Sequence, residues 1–158
     1  MPHPDIFIVY SRKDERWADR ILGHLRVLER QSIARAWVDH QIRPGSDWLS
    51  QTLRALGSVD VAVLLISADF LGSEFIQNRE IPILLERRKQ ESLHVFPLLV
   101  RDCVWEEVSW LAPLQIWPRS GLPLSALRGN RIDAELKLVV REVLRSLREA
   151  RSQKYAEA

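Results

Sequence analysis

The sequence contains few of the residues that build disulfides or metal centres. Cys103 is the only cysteine among 158 residues, so an internal disulfide is excluded, which suits a reducing compartment. The four histidines are scattered, and none lies at a spacing that pairs it with Cys103. We therefore expect neither a catalytic thiol nor a metal site.

Long apolar runs are also missing. The longest have the length of a strand, well short of a membrane span. The chain opens without a basic segment followed by a long apolar stretch, so we expect no signal peptide. These features predict a cytoplasmic protein.

Several motifs of nucleotide and nucleophile chemistry are absent. No Gly-x-Gly-x-x-Gly follows the first predicted strand, and there is no Walker A motif, which argues against hydride transfer and P-loop phosphate transfer. The missing Gly-x-Ser-x-Gly excludes a nucleophile elbow. A receiver-type phosphoacceptor needs acidic residues after the first strand and an Asp after the third. The sequence has Tyr10, Ser11 and Arg12 at the first place and Ser67 at the other.

Charge gives little reason to expect a nucleic-acid partner. The 23 basic residues nearly balance 21 acidic ones, and the net charge is +2. Basic residues are not interleaved with aromatics as in nucleic-acid readers. The densest basic run, residues 87–89, lies where a helix is predicted to end, so we interpret it as a solvated complement to the helix dipole.

Strand-like and helix-like segments alternate along the chain. Apolar runs rich in Ile, Val and Leu predict strands at residues 5–11, 32–39, 60–67 and 94–100, with a short edge strand near 114–117. Helical periodicity predicts helices after residues 14, 47, 73 and 130. Because parallel strands need crossover connections, this order predicts one α/β domain, with a mostly parallel five-stranded sheet between two helical layers. Residues 151–158 are polar and are expected to fray.

Two local features bear on the predicted helices. A turn is expected at residues 43–46, where Ser46 can cap the helix that begins near Asp47. Pro82 interrupts the helical pattern of residues 73–91, because proline lacks an N–H and crowds the preceding turn. The regular helix should therefore start, or kink, near Asn78. Either arrangement puts Glu80 close to a helix N-terminus.

Two segments resemble conserved boxes of Toll/interleukin-receptor (TIR) domains. Residues 5–11, followed by Asp14, are similar to the first box. Residues 37–39 and 42–45 are similar to the second, which contains the BB loop, here residues 40–46.

A third segment resembles the part of NAD-cleaving TIR domains that carries their glutamate. It comprises residues 65–67 and 70–73, followed by Glu80. In this order and spacing, over about residues 5–150, the three boxes identify a TIR domain of bacterial type. The resemblance implies a flavodoxin-like three-layer sandwich.

The resemblance also implies cleavage of the bond between nicotinamide and ribose in NAD+, which would be the substrate and not a cofactor. Departure of nicotinamide leaves an oxocarbenium-like ribose that a carboxylate can stabilise, and Glu80 is the candidate. Candidate contacts to the substrate are Phe7, Tyr10, Ser11, Arg12, Arg43, Trp48 and Ser67.

Each candidate also has a simpler interpretation. A glutamate in the first turn of a helix commonly complements the dipole. Trp48 can be a packing residue instead of stacking on a base, and Phe7 or Tyr10 can belong to the core. The two arginines, Arg12 and Arg43, can be solvated, and the two serines, Ser11 and Ser67, can cap turns. Many enzymatic relatives have an aromatic four residues before the glutamate. This chain has Ile76 there, with Phe75 beside it.

Two other functions remain open. One is a non-enzymatic adaptor that works by TIR–TIR contact through the BB loop, residues 40–46. The other is a nucleoside-processing enzyme, such as a deoxyribosyl transferase, which also uses a glutamate beside ribose. We further expect self-association through the BB loop and the helix after the third strand, with a sensor domain either fused or separate. Linear and cyclic products are both compatible with the sequence.

Overall fold

The computed structural model describes residues 5–38 and 47–157. Within them, four strands form one parallel sheet in the order β2-β1-β3-β4. The strands are β1 (Ile6–Val9), β2 (Ala36–Val38), β3 (Val61–Ile66) and β4 (His94–Leu99). Every residue of β3 is buried, as its unbroken apolar run predicts.

Helices cover both faces of the sheet. They are α1 (Glu15–Arg30), α2 (Trp48–Leu56), α3 (Ala68–Leu71), α4 (Ile81–Lys89) and α5 (Asn130–Glu157). Strand residues alternate between two cores. Ile6 and Ile8 pack with α1 and α5, whereas Phe7 and Val9 pack with α2 and α4. The predicted three-layer α/β sandwich is thus confirmed.

The predicted fifth strand is reduced to one residue among those described. Trp117 forms an isolated parallel bridge with Leu98 at the outer edge of β4. The Trp117 N–H donates to Pro97 O over 2.8 Å, and the Leu99 N–H donates to Trp117 O over 2.7 Å. Pro118 follows and has no N–H to extend the ladder. The strand count in the sequence-based prediction was therefore one too high, although the predicted position was right.

Helix α2 starts close to the predicted position. Asp47 caps this helix: its carboxylate accepts from the Ser50 N–H over 3.2 Å and from the Ser50 hydroxyl over 2.7 Å. Ser46 lies outside the described residues. An Asp cap satisfies the free N–H groups of the first turn in the same way as a Ser cap.

The helix predicted for residues 73–91 is broken into separate turns. A π-helical segment, Ile76–Glu80, hereafter the π-turn, precedes α4. Pro82 lies in the first turn of α4, where no backbone N–H is needed within the helix. The regular helix therefore begins a few residues after Asn78, and Glu80 immediately precedes it.

The final helix continues through residues 151–157, which belong to the predicted polar tail. Two basic side chains tie its last turns to the amino edge of the sheet. Arg151 donates to Ile33 O over 2.6 Å, and Lys154 forms an ion pair of 2.8 Å with Asp60. Residues 151–157 are thus helical and exposed, and fraying of the tail stays a prediction.

The basic run at the end of α4 is only partly solvated. Arg88 and Lys89 are exposed, as expected, but Arg87 is half-buried. Its guanidinium donates to Leu56 O over 3.0 Å and to Val59 O over 2.6 Å, and burial lowers the pKa of Arg87. Arg87 thus ties α4 to the end of α2. Within the described residues, no helix is both long and apolar enough to cross a membrane.

Candidate functional site

The carboxyl ends of the strands form the edge on which ligands of open parallel sheets bind. The chain order reverses between β1 and β3, because β1 lies between β2 and β3 in the sheet. In open parallel sheets, the connections at such a reversal leave opposite faces, and ligands bind in the crevice between them. The residues that follow β1, β3 and β4 therefore define the candidate site.

Three of these strand ends are joined by charged and polar side chains. The Asp14 carboxylate is fully buried and accepts from the Ser67 hydroxyl over 2.5 Å and from Arg101 Nε over 2.6 Å. Arg101 Nη2 also donates to Asp69 Oδ2 over 2.5 Å. We call these four residues the Arg101 network. A buried carboxylate is tolerated when it is paired in this way.

Both carboxylates of this network stabilise the charged form of Arg101. The hydrogen bond to Asp14, followed by that to Asp69, raises the pKa of the Arg101 guanidinium. The hydrogen bond from Arg101 lowers the pKa of Asp69. The inner pair with Asp14 is shielded from water, while the Asp69 side chain is 33% exposed. Solvent therefore weakens the outer pair more than the inner one.

Glu80 is the last residue of the π-turn. It is only 5% exposed, and Ile76 at the start of the turn is 4% exposed. The Ile81 N–H donates to Ile76 O, five residues back, which is the wide hydrogen bond of a π-helix. Residues five apart in an α-helix point about 140° away from each other. The wider π-turn brings Phe75 and Glu80 closer to a common face.

An aromatic pair lies at the start of the π-turn. The rings of Trp48 and Phe75 have centroids 5.0 Å apart and an interplanar angle of 37°. Both side chains are half-buried. The first turn of α2 is thus packed against the residue that precedes the π-turn. Trp48 is a packing residue that keeps part of its ring accessible.

Two aromatic candidates of β1 lie in the core and not on the surface of the crevice. Phe7 is 1% exposed and meets Trp37 edge-on, at 6.0 Å between ring centroids and 89° between planes. Tyr10 is 7% exposed and belongs to the opposite core, beneath α1 and α5. The two side chains therefore do not converge on one ligand.

The polar candidates occupy different positions along the carboxyl edge. The Ser11 hydroxyl accepts from the Lys13 N–H in a short 3-10 turn, and Arg12 in that turn is exposed. Ser67 caps α3 by accepting from the Phe70 N–H over 3.1 Å, while its own hydrogen goes to the Arg101 network. Arg43 and the BB loop lie outside the described residues.

A cleft of about 1140 Å³ is found on the opposite edge of the sheet. Residues that precede β1 and β2, Asp5 and Arg35, line it together with Trp37, Arg54 and Arg151. None of the candidate residues that the structure describes lines this cleft. Its position at the amino ends of the strands is not the one that ligands of such sheets use.

The sequence matches the family described as TIR domain over residues 6–136. The chain belongs to the TIR domain family. The uncharacterized protein y4lF of Sinorhizobium fredii (strain NBRC 101917 / NGR234) is 30% identical over 122 residues, which are 77% of this chain. The chain spans 38% of the length of that relative.

Two solved structures share the fold of this TIR domain. The TIR domain of the Toll-related receptor TRR-2 from Hydra magnipapillata has a TM-score of 0.61 at 20% identity, over 89% of this chain and 98% of that one. The second structure contains the TIR domains of the activated Roq1 resistosome, which directly recognizes the pathogen effector XopQ. It has a TM-score of 0.55 at 17% identity, over 93% of this chain and 82% of that one. At these identities the likeness concerns the fold alone.

Sequence reasoning about this TIR domain missed two features of the edge. Asp14 was named only as part of the first family box, and Arg101 was not named as a candidate. Their opposite charges, each placed directly after a strand, are the signal that predicts the pair. One feature of the sequence is consistent with the π-turn: Phe75 is five residues before Glu80, where many enzymatic relatives have an aromatic residue four before the glutamate.

Proposed function

We propose that this TIR domain cleaves NAD+ between nicotinamide and ribose, with the Glu80 carboxylate as the catalytic group. The observation that supports this most is the setting of Glu80, a 5% exposed carboxylate at the end of a π-turn. Burial of a carboxylate costs folding free energy. π-helical turns are rare in proteins as a whole, but those that occur are often found at functional sites. A glutamate that only complements a helix dipole needs neither.

The main requirement of this cleavage is one negatively charged side chain next to the ribose. When the C–N bond breaks, its electron pair neutralises the positive nitrogen of nicotinamide, so the leaving group needs no proton. The ribose carbon becomes oxocarbenium-like, and an adjacent carboxylate stabilises that charge. Water then adds to this carbon and loses a proton to give ADP-ribose, or an adenine nitrogen adds to give a cyclic product.

The aromatic pair supplies a flat surface for a base of the substrate. Ile76, four residues before Glu80, is 4% exposed and packed in the core, so it is unsuited to stacking. Phe75 is one residue further back, and the extra residue of the π-turn compensates for that offset. We assign the nicotinamide or adenine ring to the face of Trp48 and Phe75.

Some of the other candidate residues are proposed to contact the substrate, and others to support the carboxyl edge of the sheet. Arg12 is exposed at the carboxyl edge and is suited to the pyrophosphate. Ser11 lies beside it, and its hydroxyl is a donor for the nucleotide. Ser67, Phe7 and Tyr10 support the edge from within, since the hydroxyl of Ser67 is engaged by Asp14 and both rings are buried. Arg43, outside the described residues, stays a candidate for the pyrophosphate.

Self-association is part of the proposal. The resistosome that contains the Roq1 TIR domains is an activated assembly, and the y4lF relative is more than twice as long as the matched domain. We propose that contacts through the BB loop, residues 40–46, and through the π-turn and α4 bring TIR domains together in signalling or defence. Catalysis would then depend on protein concentration.

The test is nicotinamide release from NAD+ at high protein concentration with a crowding agent. Glu80→Gln keeps the size of the side chain and removes its charge, so we expect release to fall at least about 100-fold. The matched control is Glu74→Gln, which removes an exposed carboxylate six residues earlier. Equal rates for Glu80→Gln and the native chain refute the assignment. Absence of release from assembled native protein favours the adaptor function.

A further inference from the structure

One side chain, Gln77, bridges the π-turn to two other parts of the fold. Its Nε2 donates to Phe70 O over 3.2 Å, and its Oε1 accepts from Trp110 Nε1 over 3.2 Å. Both ends of the carboxamide are therefore engaged. We infer that Gln77 is a positioning residue that holds the π-turn and so fixes the direction of Glu80, an inference that rests on the proposed function of Glu80.

The chemistry of the two partners selects glutamine at this position. The Phe70 carbonyl only accepts, and the Trp110 indole N–H only donates. A carboxamide carries an NH2 group that donates and a carbonyl oxygen that accepts, whereas an ionised glutamate lacks the donor, and lysine and arginine lack the acceptor. The partners also fix which end of the amide points each way. The pair of bonds is therefore specific to this side-chain type.

Each partner of Gln77 is itself held in place. Phe70 is fully buried in α3, and its N–H donates to Ser67 of the Arg101 network. Trp110 is packed against the core on the α2 and α4 side of the sheet. On the backbone, the Gln77 N–H donates to Ser73 O over 2.9 Å. Gln77 thus links the π-turn to the three strand ends.

The bridge matters because a π-turn is not the preferred form of a helical segment. Its hydrogen-bond pattern is rare, so a sequence adopts it where other contacts demand it. Loss of the Gln77 bonds lets the segment approach the tighter α-helical turn. Phe75 and Glu80 then diverge toward about 140°, and the direction of the Glu80 side chain changes.

The first test removes both bonds and keeps the length of the side chain. In Gln77→Met we expect kcat for NAD+ cleavage to fall about tenfold to 100-fold, because small misplacements of catalytic groups have effects of this size. The change in KM should be smaller than that in kcat. The control is Gln115→Met, since Gln115 also donates to a backbone carbonyl, that of Ile116, over 2.8 Å. This control should keep the native kcat.

A second variant removes one of the bonds from the other side. Trp110→Phe keeps an aromatic ring and loses the indole donor. If the two residues act through one bridge, the Gln77→Met and Trp110→Phe double variant should be no slower than the slower single variant. Losses of kcat that simply multiply would overturn the inference.

A readout that needs no activity separates this inference from the proposed function. Backbone hydrogen exchange of residues 76–81 should quicken in Gln77→Met and Trp110→Phe, and stay native in Gln115→Met. Unchanged exchange in the first two variants overturns the bridge, whether or not the native chain cleaves NAD+. Quickened exchange with a native kcat in an active enzyme overturns the positioning role. Absence of cleavage by the native chain refutes the proposed function. Hydrogen exchange then still tests whether Gln77 holds the π-turn.

Discussion

At the scale of single residues, Asp14 is the centre of the carboxyl edge. Its buried carboxylate receives hydrogen bonds from residues that follow two other strands, Ser67 after β3 and Arg101 after β4. Hydrogen bonds to a buried charge are stronger than those between neutral groups, since little water competes for them. Asp14 therefore holds together the strand ends that support α3 and the π-turn.

Replacement of Asp14 should weaken the fold more than replacement of its neighbour in the network. Asp14→Asn keeps the shape and removes the charge, so we expect a loss of about 2 kcal/mol in the free energy of unfolding. Asp69→Asn removes the partly exposed outer pair and should cost less. Urea unfolding of both variants measures the difference. Equal losses, or a larger loss for Asp69→Asn, would contradict this picture of the network.

At the scale of elements, the π-turn decides how Glu80 is presented. It acts as one extra residue inserted into a helical path, between α3, anchored by Ser67, and α4, anchored by Arg87. Removing one residue from the turn should give an ordinary α-helical path without moving either anchor. Phe75 would then stand four residues before the glutamate.

Deletion of Asn78 tests this interpretation. Asn78 is exposed within the π-turn, and the shortened chain should fold with a melting temperature near the native one and still release nicotinamide from NAD+. The control is deletion of Glu86, which is exposed in the regular part of α4. That deletion rotates the following residues by about 100° and should destabilise the fold. If both deletions destabilise equally, the π-turn is not a one-residue insertion.

The elements differ in how far the sequence predicts them. The apolar run of β3 and the helical spacing of α1 arise from local pattern, and both elements form as expected. The π-turn was not predictable in this way, because Gln77 meets Trp110, 33 residues later in the chain. The Arg101 network likewise joins positions 87 residues apart. Such contacts exist only once the sheet has brought the strand ends together.

The same distinction applies to the candidate site. The order of the family boxes pointed to Glu80, and strand ends pointed to Ser67, without any knowledge of burial. Local pattern does not tell which side of a buried strand a side chain faces, so Phe7 and Tyr10 were named as substrate contacts although both pack in the core.

At the scale of the whole molecule, acid should unfold the domain through its paired carboxylates. The pKa of Asp69 is lowered by Arg101, that of Asp133 by His24 and then Arg20, and that of Asp47 by Ser50. A carboxyl whose pKa is lower in the folded state than in the unfolded state stabilises the fold at pH values above its unfolded pKa, which is about 3.9 for Asp. This stability is lost as the pH falls through the folded values.

We therefore expect the free energy of unfolding to change little from neutral pH down to about pH 5, and to decline below about pH 4. Asp133→Asn should flatten part of that decline, modestly because the pair is exposed. Urea unfolding at a series of pH values measures both effects. Stability that rises on acidification through this range would contradict the prediction.

For the domain as a whole, the proposed function includes self-association, so its activity should depend on protein concentration. The most direct measurement is the initial rate of nicotinamide release from NAD+ per molecule, for the native chain and Glu80→Gln, over a range of protein concentrations. We expect the rate per molecule to rise with concentration for the native chain and to stay at background for the variant. A native rate at background at every concentration, or a variant that matches the native chain, would contradict the assignment of Glu80 as the catalytic group of an NAD+-cleaving TIR domain.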